Sequence, residues 1–310
     1  MEELQKSKGI LLTLLGGICW GFSGACGQYL FQYKSFTPMW LASFRLPIAG
    51  LIMLSYFWMK ERSFKKLFEV WKEPKMYGLL IAFSIFGMAA NQSFYFLTIN
   101  SSNAGTATVL EYLSPLLLII YVSCKERKLP SLWKIAALVL ALVGIFVLAT
   151  HGDIGTMAIS KETMIYGLLA AITYALISAL PEKLMKQYGT IYVVGWGMFI
   201  GGFASWVIQV PWKDCGVIDK GSIGFLAVAV LVGSMFAYLL YMEGVRLIGA
   251  QLANLLACVE PISATVFAVL WLQSSIGVYD YIGFVFIIGA IIVVSLEEKV
   301  GNKPRNACKS

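Results

Sequence analysis

Three ionisable residues lie deep inside long apolar runs of the 310-residue sequence: Arg45, Glu111 and Glu260. A charge inside a bilayer costs ~2.5–3.5 kcal/mol on insertion scales, so residues of this kind commonly bind substrates, carry protons or pair with one another. Glu111 or Glu260 could bind a coupling proton or a cationic substrate group, while Arg45 could meet a carboxylate. The alternative is a structural ion pair between Arg45 and one glutamate.

Aromatic and amide side chains accompany these charges along the chain. Rings beside a few polar groups suit small amphipathic ligands, including cations that bind a ring face. The alternative is that the rings anchor the protein at the membrane interface or pack helices together. The predicted substrate-binding residues are Trp20, Arg45, Asn91, Gln92, Tyr95, Glu111, Tyr174, Trp196, Tyr238, Tyr241 and Glu260.

The elements that must position these residues are long apolar segments. The chain is 59% hydrophobic and 13% charged, whereas a soluble domain has about 25% charged residues. Ten segments are long enough to cross a hydrocarbon core of ~30 Å, and their continuous apolar character favours helices over barrel strands. The predicted fold is an all-α integral membrane protein with segments at 9–31, 37–59, 76–99, 103–124, 132–150, 162–182, 190–210, 222–245, 249–271 and 280–296.

The distribution of Lys and Arg predicts the orientation. With the N-terminus inside, the inside loops and tails hold 19 of the 24 basic residues. The outside loops hold only Lys34, Lys161, Lys213 and Lys220, and Arg45 lies within segment 2. This asymmetry predicts an N-in, C-in, multi-pass protein of the plasma membrane. The net charge of +7 is thereby assigned to topology and not to nucleic-acid binding.

This topology places the three charges in one layer. Arg45 and Glu111 are each eight residues from the outer end of their segments, and Glu260 is 11 residues from its own outer end. At a rise of 1.5 Å per residue, these positions lie ~12 Å and ~16 Å deep. A single central cavity could therefore contain all three side chains.

The two halves of the sequence also align with each other. A shift of 154 positions overlays residues 16–20 on residues 170–174, and a shift of 146 overlays Pro115 on Pro261. Each half has five segments, so the second half must be inserted upside down relative to the first. Such inverted repeats are common in secondary transporters, with the substrate site near midplane.

The predicted organisation follows from this alignment. Each repeat contains five helices, and the charged C-terminal segment follows the second repeat as a cytoplasmic tail. Phe199 stands where the first half has Arg45, so the halves are not functionally equivalent. The predicted units are residues 1–150, 151–297 and 298–310.

Several short motifs occur in a characteristic order along the chain. They are Trp20-Gly21, Thr37-Pro38 followed by Arg45, the alanine-rich start of segment 4 leading to Ser114-Pro115, Lys125-Glu126-Arg127, Gly144, and Glu260-Pro261. In this order and spacing the sequence resembles the EamA-type branch of the drug/metabolite transporter superfamily, over about residues 9–297. The resemblance implies ten helices, a central cavity and transport of small organic molecules, with export of amino acids or related metabolites favoured.

Other classes of function remain as alternatives. A membrane enzyme would need a base, a nucleophile or a metal site, yet His151 is the only histidine and the six cysteines lack metal-ligand spacing. No phosphate-binding G-x-x-x-x-G-K-[ST] motif is present, and no cofactor is predicted. A channel or receptor without carrier activity is one alternative, and a multidrug efflux carrier that does not use ATP is another.

The predicted partners follow from the carrier interpretation. They are a small-molecule substrate, the lipid bilayer and a proton as a candidate coupling ion. Facilitated diffusion and exchange fit the sequence equally well. Cys215 is the only cysteine predicted in an outside loop, so no disulfide framework is expected.

Overall fold

In the computed structural model the described residues form helices joined by short loops and turns, with no strand among them. The described residues are 2–102, 104–127, 129–153, 155, 160–207, 210–213, 215–272 and 277–300. The predicted cytoplasmic tail lies outside this set from residue 301 onward.

The first half of the chain forms seven of the helices considered below. They are α1 (Glu2–Lys34), α2 (Pro38–Glu61), the short α3 (Phe64–Leu67), α4 (Pro74–Ser101), α5 (Ala104–Glu111), α6 (Ser114–Glu126) and α7 (Leu132–Thr150). The second half forms α8 (Lys161–Ala179), α9 (Glu182–Tyr188), α10 (Thr190–Ser205), α11 (Lys220–Ile248), α12 (Ala250–Leu256), α13 (Val259–Leu272) and α14 (Val278–Val300).

Apolar helices occupy all ten predicted segments. Eight helical stretches are long and apolar enough to cross a membrane by length and composition, within the part of the chain that is described. The apolar helices at segments 7 and 10, Thr190–Ser205 and Val278–Val294, are shorter. The all-helical membrane class is confirmed.

Local signals in the sequence explain several helix ends. The Thr37 hydroxyl accepts the Trp40 amide at 3.2 Å, and Pro38 occupies the first turn of α2, where its missing N–H costs nothing. Asp219 caps α11 by accepting the Ser222 amide at 2.8 Å. The Thr37-Pro38 motif therefore has a structural role as a helix cap.

The two halves pack against each other and not only within themselves. Helix α1 lies against α11 and α13, α2 against α10, α4 against α8, and α7 against α14. Small residues allow close approach: a Cβ atom on Gly144 of α7 would lie 2.9 Å from the Gly283 carbonyl oxygen of α14. The core of the molecule is therefore made from both halves.

Two helices contain a π-helical turn at corresponding positions. In α4 the turn spans Phe83–Ala89, and in α11 it spans Ala229–Phe236. The second turn starts 146 residues after the first, which is the offset that aligns segments 3–4 with segments 8–9. π-Helical turns often occur at functional sites because they displace the side chains that follow.

Segments 4 and 9 are each interrupted near their middle. The interruptions are at Tyr112–Leu113, between α5 and α6, and at Ala257–Cys258, between α12 and α13. Pro115 and Pro261 follow these interruptions and lie in the first turn of α6 and of α13, where the absence of a proline N–H is tolerated.

Candidate functional site

Arg45, Glu111 and Glu260 come together at these interruptions. Glu111 is the last residue of α5, Glu260 is in the first turn of α13, and Arg45 projects from α2. Glu260 lies within electrostatic range of both Arg45 and Glu111. Within the described residues, no ion pair shorter than 4.0 Å joins Arg45 to either glutamate.

A neutral amide holds Glu111 in place. The side-chain amide of Asn91, on α4, donates to Glu111 Oε1 at 2.8 Å and to the Ala170 carbonyl oxygen at 3.3 Å. Asn91 is buried, so these bonds fix the Glu111 side chain relative to α4 and α8. Asn91 therefore positions the carboxyl group of Glu111 without supplying an opposite charge.

Glu260 is held by a residue that the sequence reading did not single out. The Tyr112 hydroxyl donates to Glu260 Oε2 at 2.9 Å and also approaches the Ala257 carbonyl oxygen at 3.2 Å. Tyr112 is buried in the interruption between α5 and α6. Its place directly after Glu111 is the only sequence signal that could have identified it.

Arg45 is only partly satisfied by hydrogen bonds. One of its terminal nitrogens donates to Gln92 Oε1 at 3.4 Å, while its buried Nε has no partner within the described residues. The Tyr174 hydroxyl is likewise buried with no partner among those residues. A buried polar group without a partner costs about 1–3 kcal/mol, so both groups could bind a ligand oxygen at this site.

Aromatic rings surround these polar groups. The Trp20 ring centroid lies 4.9 Å from those of Tyr238 and Tyr241. Tyr174 lies edge-on to Tyr112 at 6.2 Å. The rings supply apolar surface and electron-rich faces next to the two acids, which suits a ligand with an apolar body or a cationic group.

Ten of the eleven predicted site residues belong to this region, together with Tyr112. Several of them, including Arg45, Glu111 and Glu260, are only partly buried although they lie within the long apolar segments. We call the group the central cluster: Trp20, Arg45, Asn91, Gln92, Tyr95, Glu111, Tyr112, Tyr174, Tyr238, Tyr241 and Glu260.

Tyr95 joins the central cluster through helix α5. Its hydroxyl lies 3.2 Å from the Thr108 hydroxyl, and its ring is within electrostatic range of Arg45, Glu111 and Glu260. The remaining predicted residue, Trp196, lies elsewhere. Its indole donates to the Leu67 carbonyl oxygen at 3.1 Å and contacts the Trp71 ring, so the structure does not bring it to the central cluster.

A second group of polar side chains shares Tyr241 with the central cluster and links four helices. Asn254 accepts from the Ser114 hydroxyl at 2.7 Å, and its amide donates to Ser178 at 3.2 Å. The hydroxyls of Ser178 and Tyr241 are 2.6 Å apart. All four side chains are fully buried, and we call them the four-helix polar cluster.

No candidate metal site is found among the described residues, where no three His, Cys, Asp or Glu side chains come together. The five cysteines in this part of the chain are free thiols: Cys19, Cys26, Cys124, Cys215 and Cys258. The chemistry available at the central cluster is therefore binding and proton exchange by carboxylates, a guanidinium and phenols.

The apolar helices and the buried charged cluster define a multi-pass membrane protein. A model of the EamA-like transporter family matches residues 7–150 and again residues 161–296. The chain belongs to the EamA-like transporter family.

Curated relatives carry transporter names. The chain is 33% identical over 296 residues to the uncharacterized inner membrane transporter YicL of Salmonella typhimurium, covering 94% of this chain and 96% of that protein. It is 22% identical to the uncharacterized transporter YcbK of Bacillus subtilis, covering 90% of each. These relatives are named as transporters and not as enzymes.

A solved crystal structure supports the fold. Its chain superposes with a TM-score of 0.79, covers 96% of this chain and 99% of its own length, and shares 15% sequence identity. At this identity the likeness concerns the fold alone.

Proposed function

We propose that the protein is a secondary transporter that moves small organic metabolites, amino-acid-like or amphipathic, across the plasma membrane. It works by alternating access and acts as an exporter. In this proposal the ten apolar helices all span the bilayer as two inverted five-helix repeats, with both termini inside.

The observation that carries the proposal is the partly satisfied charge in the central cluster. Arg45 keeps an unpartnered buried Nε, and each glutamate is held by a neutral donor, Asn91 or Tyr112. A structural ion pair would instead place opposite charges in contact. Because a guanidinium fits a carboxylate and an acid fits an ammonium group, the cluster suits a substrate that carries one or both.

The repeat organisation agrees with this function. The family model matches each half of the chain separately, and both halves contain a π-helical turn and an interrupted helix. Interrupted helices that meet near midplane are typical of secondary transporters, where they build the substrate site. The two interruptions here adjoin Glu111 and Glu260.

A lipophilic cation is the second candidate substrate, as expected of a multidrug efflux carrier. The ring faces of Trp20, Tyr238 and Tyr241 lie in the same cluster as two acids, which is the arrangement that favours cation–π binding. This candidate requires the acids and the rings but not Arg45. The dependence on Arg45 therefore separates the two substrate classes.

The first experiment screens purified protein against amino acids, organic cations and nucleosides for thermal stabilisation. A ligand at 100 times its Kd stabilises the folded state by about 2.7 kcal/mol, which such an assay detects. Each hit is then tested for counterflow in proteoliposomes, and for efflux from preloaded cells to establish direction. Arg45→Gln is expected to abolish stabilisation by carboxylate-bearing ligands and to leave stabilisation by simple cations in place.

Two results would contradict the proposal. A well-behaved protein that binds nothing across the panel would remove the support for an amino-acid-like substrate. A ligand that binds but shows no counterflow, while conducting ions or signalling, would favour a channel or a receptor.

A further inference from the structure

The Tyr112 hydroxyl faces two acceptors that lie three residues apart in the second half. One is the carboxylate of Glu260, at 2.9 Å, and the other is the backbone carbonyl of Ala257, at 3.2 Å. A phenol has one proton, so it donates fully to only one acceptor at a time. Tyr112 itself lies in the interruption between α5 and α6, and Ala257 lies in the interruption between α12 and α13.

The charge on Glu260 decides which acceptor is preferred. A hydrogen bond to an ionised carboxylate is about twice as strong as a bond between neutral groups. The Ala257 carbonyl also accepts the Glu260 amide at 2.9 Å, so it keeps a partner when the hydroxyl turns away. An ionised Glu260 therefore binds Tyr112 firmly, and a neutral Glu260 binds it weakly.

The four-helix polar cluster contains residues that are close in sequence to both sides of this contact. Ser114 follows Tyr112 by two residues, and Asn254 precedes Ala257 by three. Ser114 and Asn254 share a hydrogen bond of 2.7 Å, and both are fully buried. The same two interrupted helices are thus joined twice, once through Tyr112 and Glu260 and once through Ser114 and Asn254.

We propose that Tyr112 is a positioning residue that couples the charge on Glu260 to the four-helix polar cluster. With Glu260 ionised, its bond to Tyr112 holds the two interruptions together, and the polar cluster stays closed. When a proton or a cationic group neutralises Glu260, only the weaker hydrogen bonds between neutral groups join the interruptions, so they separate more readily and the cluster opens. The proposal rests on the carrier function, because a carrier must change access when its site is occupied.

Other titratable groups also face Glu260, and any test must distinguish their titration from that of Glu260. Those within electrostatic range are Arg45 on α2, Tyr95 on α4, Glu111 on α5, Tyr174 on α8, Tyr238 on α11, and Cys258 beside it in the chain. Glu111 is the main competitor because it is a carboxyl group. It is held by Asn91 and not by Tyr112, so Glu111→Gln serves as a comparison.

The test is amide hydrogen exchange of residues 250–258 in the full-length protein, in lipid nanodiscs without substrate. Protection is measured between about pH 8 and about pH 4, a range that covers the spread of carboxyl pKa values in proteins from exposed to buried positions. The rates are corrected for the intrinsic effect of pH on exchange. In the wild-type protein the protection of this segment is expected to fall roughly tenfold toward acid, the factor for one hydrogen bond to a charged group.

Variants test whether this fall in protection toward acid, called the step below, depends on the Tyr112–Glu260 pair. Tyr112→Phe keeps the ring and removes the hydroxyl, and Glu260→Gln removes the charge. Each is expected to give low protection that no longer changes with pH, and the double variant is expected to match the single ones. Glu111→Gln should keep the step. Tyr192→Phe should also keep it, because this control removes a buried hydroxyl that bonds the backbone at Leu67 and Val70, away from Glu260.

Three results would overturn the proposal: a wild-type protein without the step, a Tyr112→Phe protein that retains it, or additive effects of the two substitutions. The wild-type measurement needs no variant, so the proposal stays testable even if Tyr112→Phe fails to fold. The assay also needs no substrate. A negative result in hydrogen exchange would overturn the coupling by Tyr112 but would not contradict the carrier function. A protein that is not a carrier would instead show no counterflow.

Discussion

Gly21 is a position in α1 where even one added methyl group is expected to be harmful. A Cβ atom there would lie 2.6 Å from the Ala264 amide nitrogen and 2.7 Å from the Glu260 carbonyl oxygen, both on α13. These are backbone atoms, so the clash is relieved only by moving α1 away from α13. Gly24 lies three residues further along the same helix, and a Cβ atom there would have no neighbour within 4 Å.

The comparison of Gly21→Ala with Gly24→Ala isolates this clash. Both substitutions replace glycine within one helix, so the gain in helix propensity, up to about 1 kcal/mol, largely cancels between them. Overpacking of a well-packed interior costs typically 1–3 kcal/mol. Gly21→Ala should therefore have a free energy of unfolding about 1–3 kcal/mol lower than that of Gly24→Ala.

The free energy of unfolding can be measured by titration with SDS in mixed micelles, followed by tryptophan fluorescence. Transport by the same variants gives a second measure, since α1 would move away from the carbonyl of Glu260 itself. Equal stability and equal transport for Gly21→Ala and Gly24→Ala would refute the packing of α1 against α13 on which the site depends.

Three further outcomes are expected from the structure. Asn254→Ala removes three buried interhelical hydrogen bonds, at about 0.6 kcal/mol each in membrane proteins, so the free energy of unfolding in SDS should fall by about 2 kcal/mol. An impermeant maleimide applied to intact cells should label exposed Cys215. Lys34, at 2.5 Å, lowers the pKa of Asp219 to about 2, so the stabilisation from this pair is present at neutral pH and is lost as acid approaches that value. Asp219→Asn should slightly lower the unfolding temperature at neutral pH, and its difference from wild type should shrink as the pH falls toward 2.

Each of these outcomes has a control. Asn100→Ala changes an exposed asparagine and should leave stability unaltered, so an equal loss in both variants would contradict the role of Asn254. Cys215→Ser should abolish labelling from outside, and persistent labelling would contradict the N-in topology. A difference between Asp219→Asn and wild type that stays constant down to pH 2 would contradict the assignment to the ion pair, since asparagine still caps the helix.

Hydropathy and charge predicted the helical class because lipid imposes simple rules. A spanning segment must be apolar over ~20 residues, and the sequence contains ten such runs, each of which is helical in the structure. The same rules identified Arg45, Glu111 and Glu260, since an intramembrane charge stands out in any apolar run. The alignment of the two halves also placed Trp20 and Tyr174 of the central cluster at equivalent positions.

The remaining features depend on contacts that no local pattern encodes. A π-helical turn adds one residue to a helical turn without changing hydropathy, so Phe83–Ala89 reads as ordinary helix. Asn254 and Ser114 are unremarkable polar residues until packing brings them within 2.7 Å. Trp196 matched the expected composition of a substrate site, but its indole hydrogen bond to Leu67 places it with α3.

Transport by Glu111→Gln and Glu260→Gln tests the central claim most directly. Both variants keep the size of the side chain and remove its charge, and their membrane insertion can be checked by yield and by monodispersity after purification. Counterflow of an identified substrate in proteoliposomes is expected to fall in both variants while insertion remains normal. Normal counterflow by both variants would contradict the assignment of the buried carboxylates to substrate or proton binding.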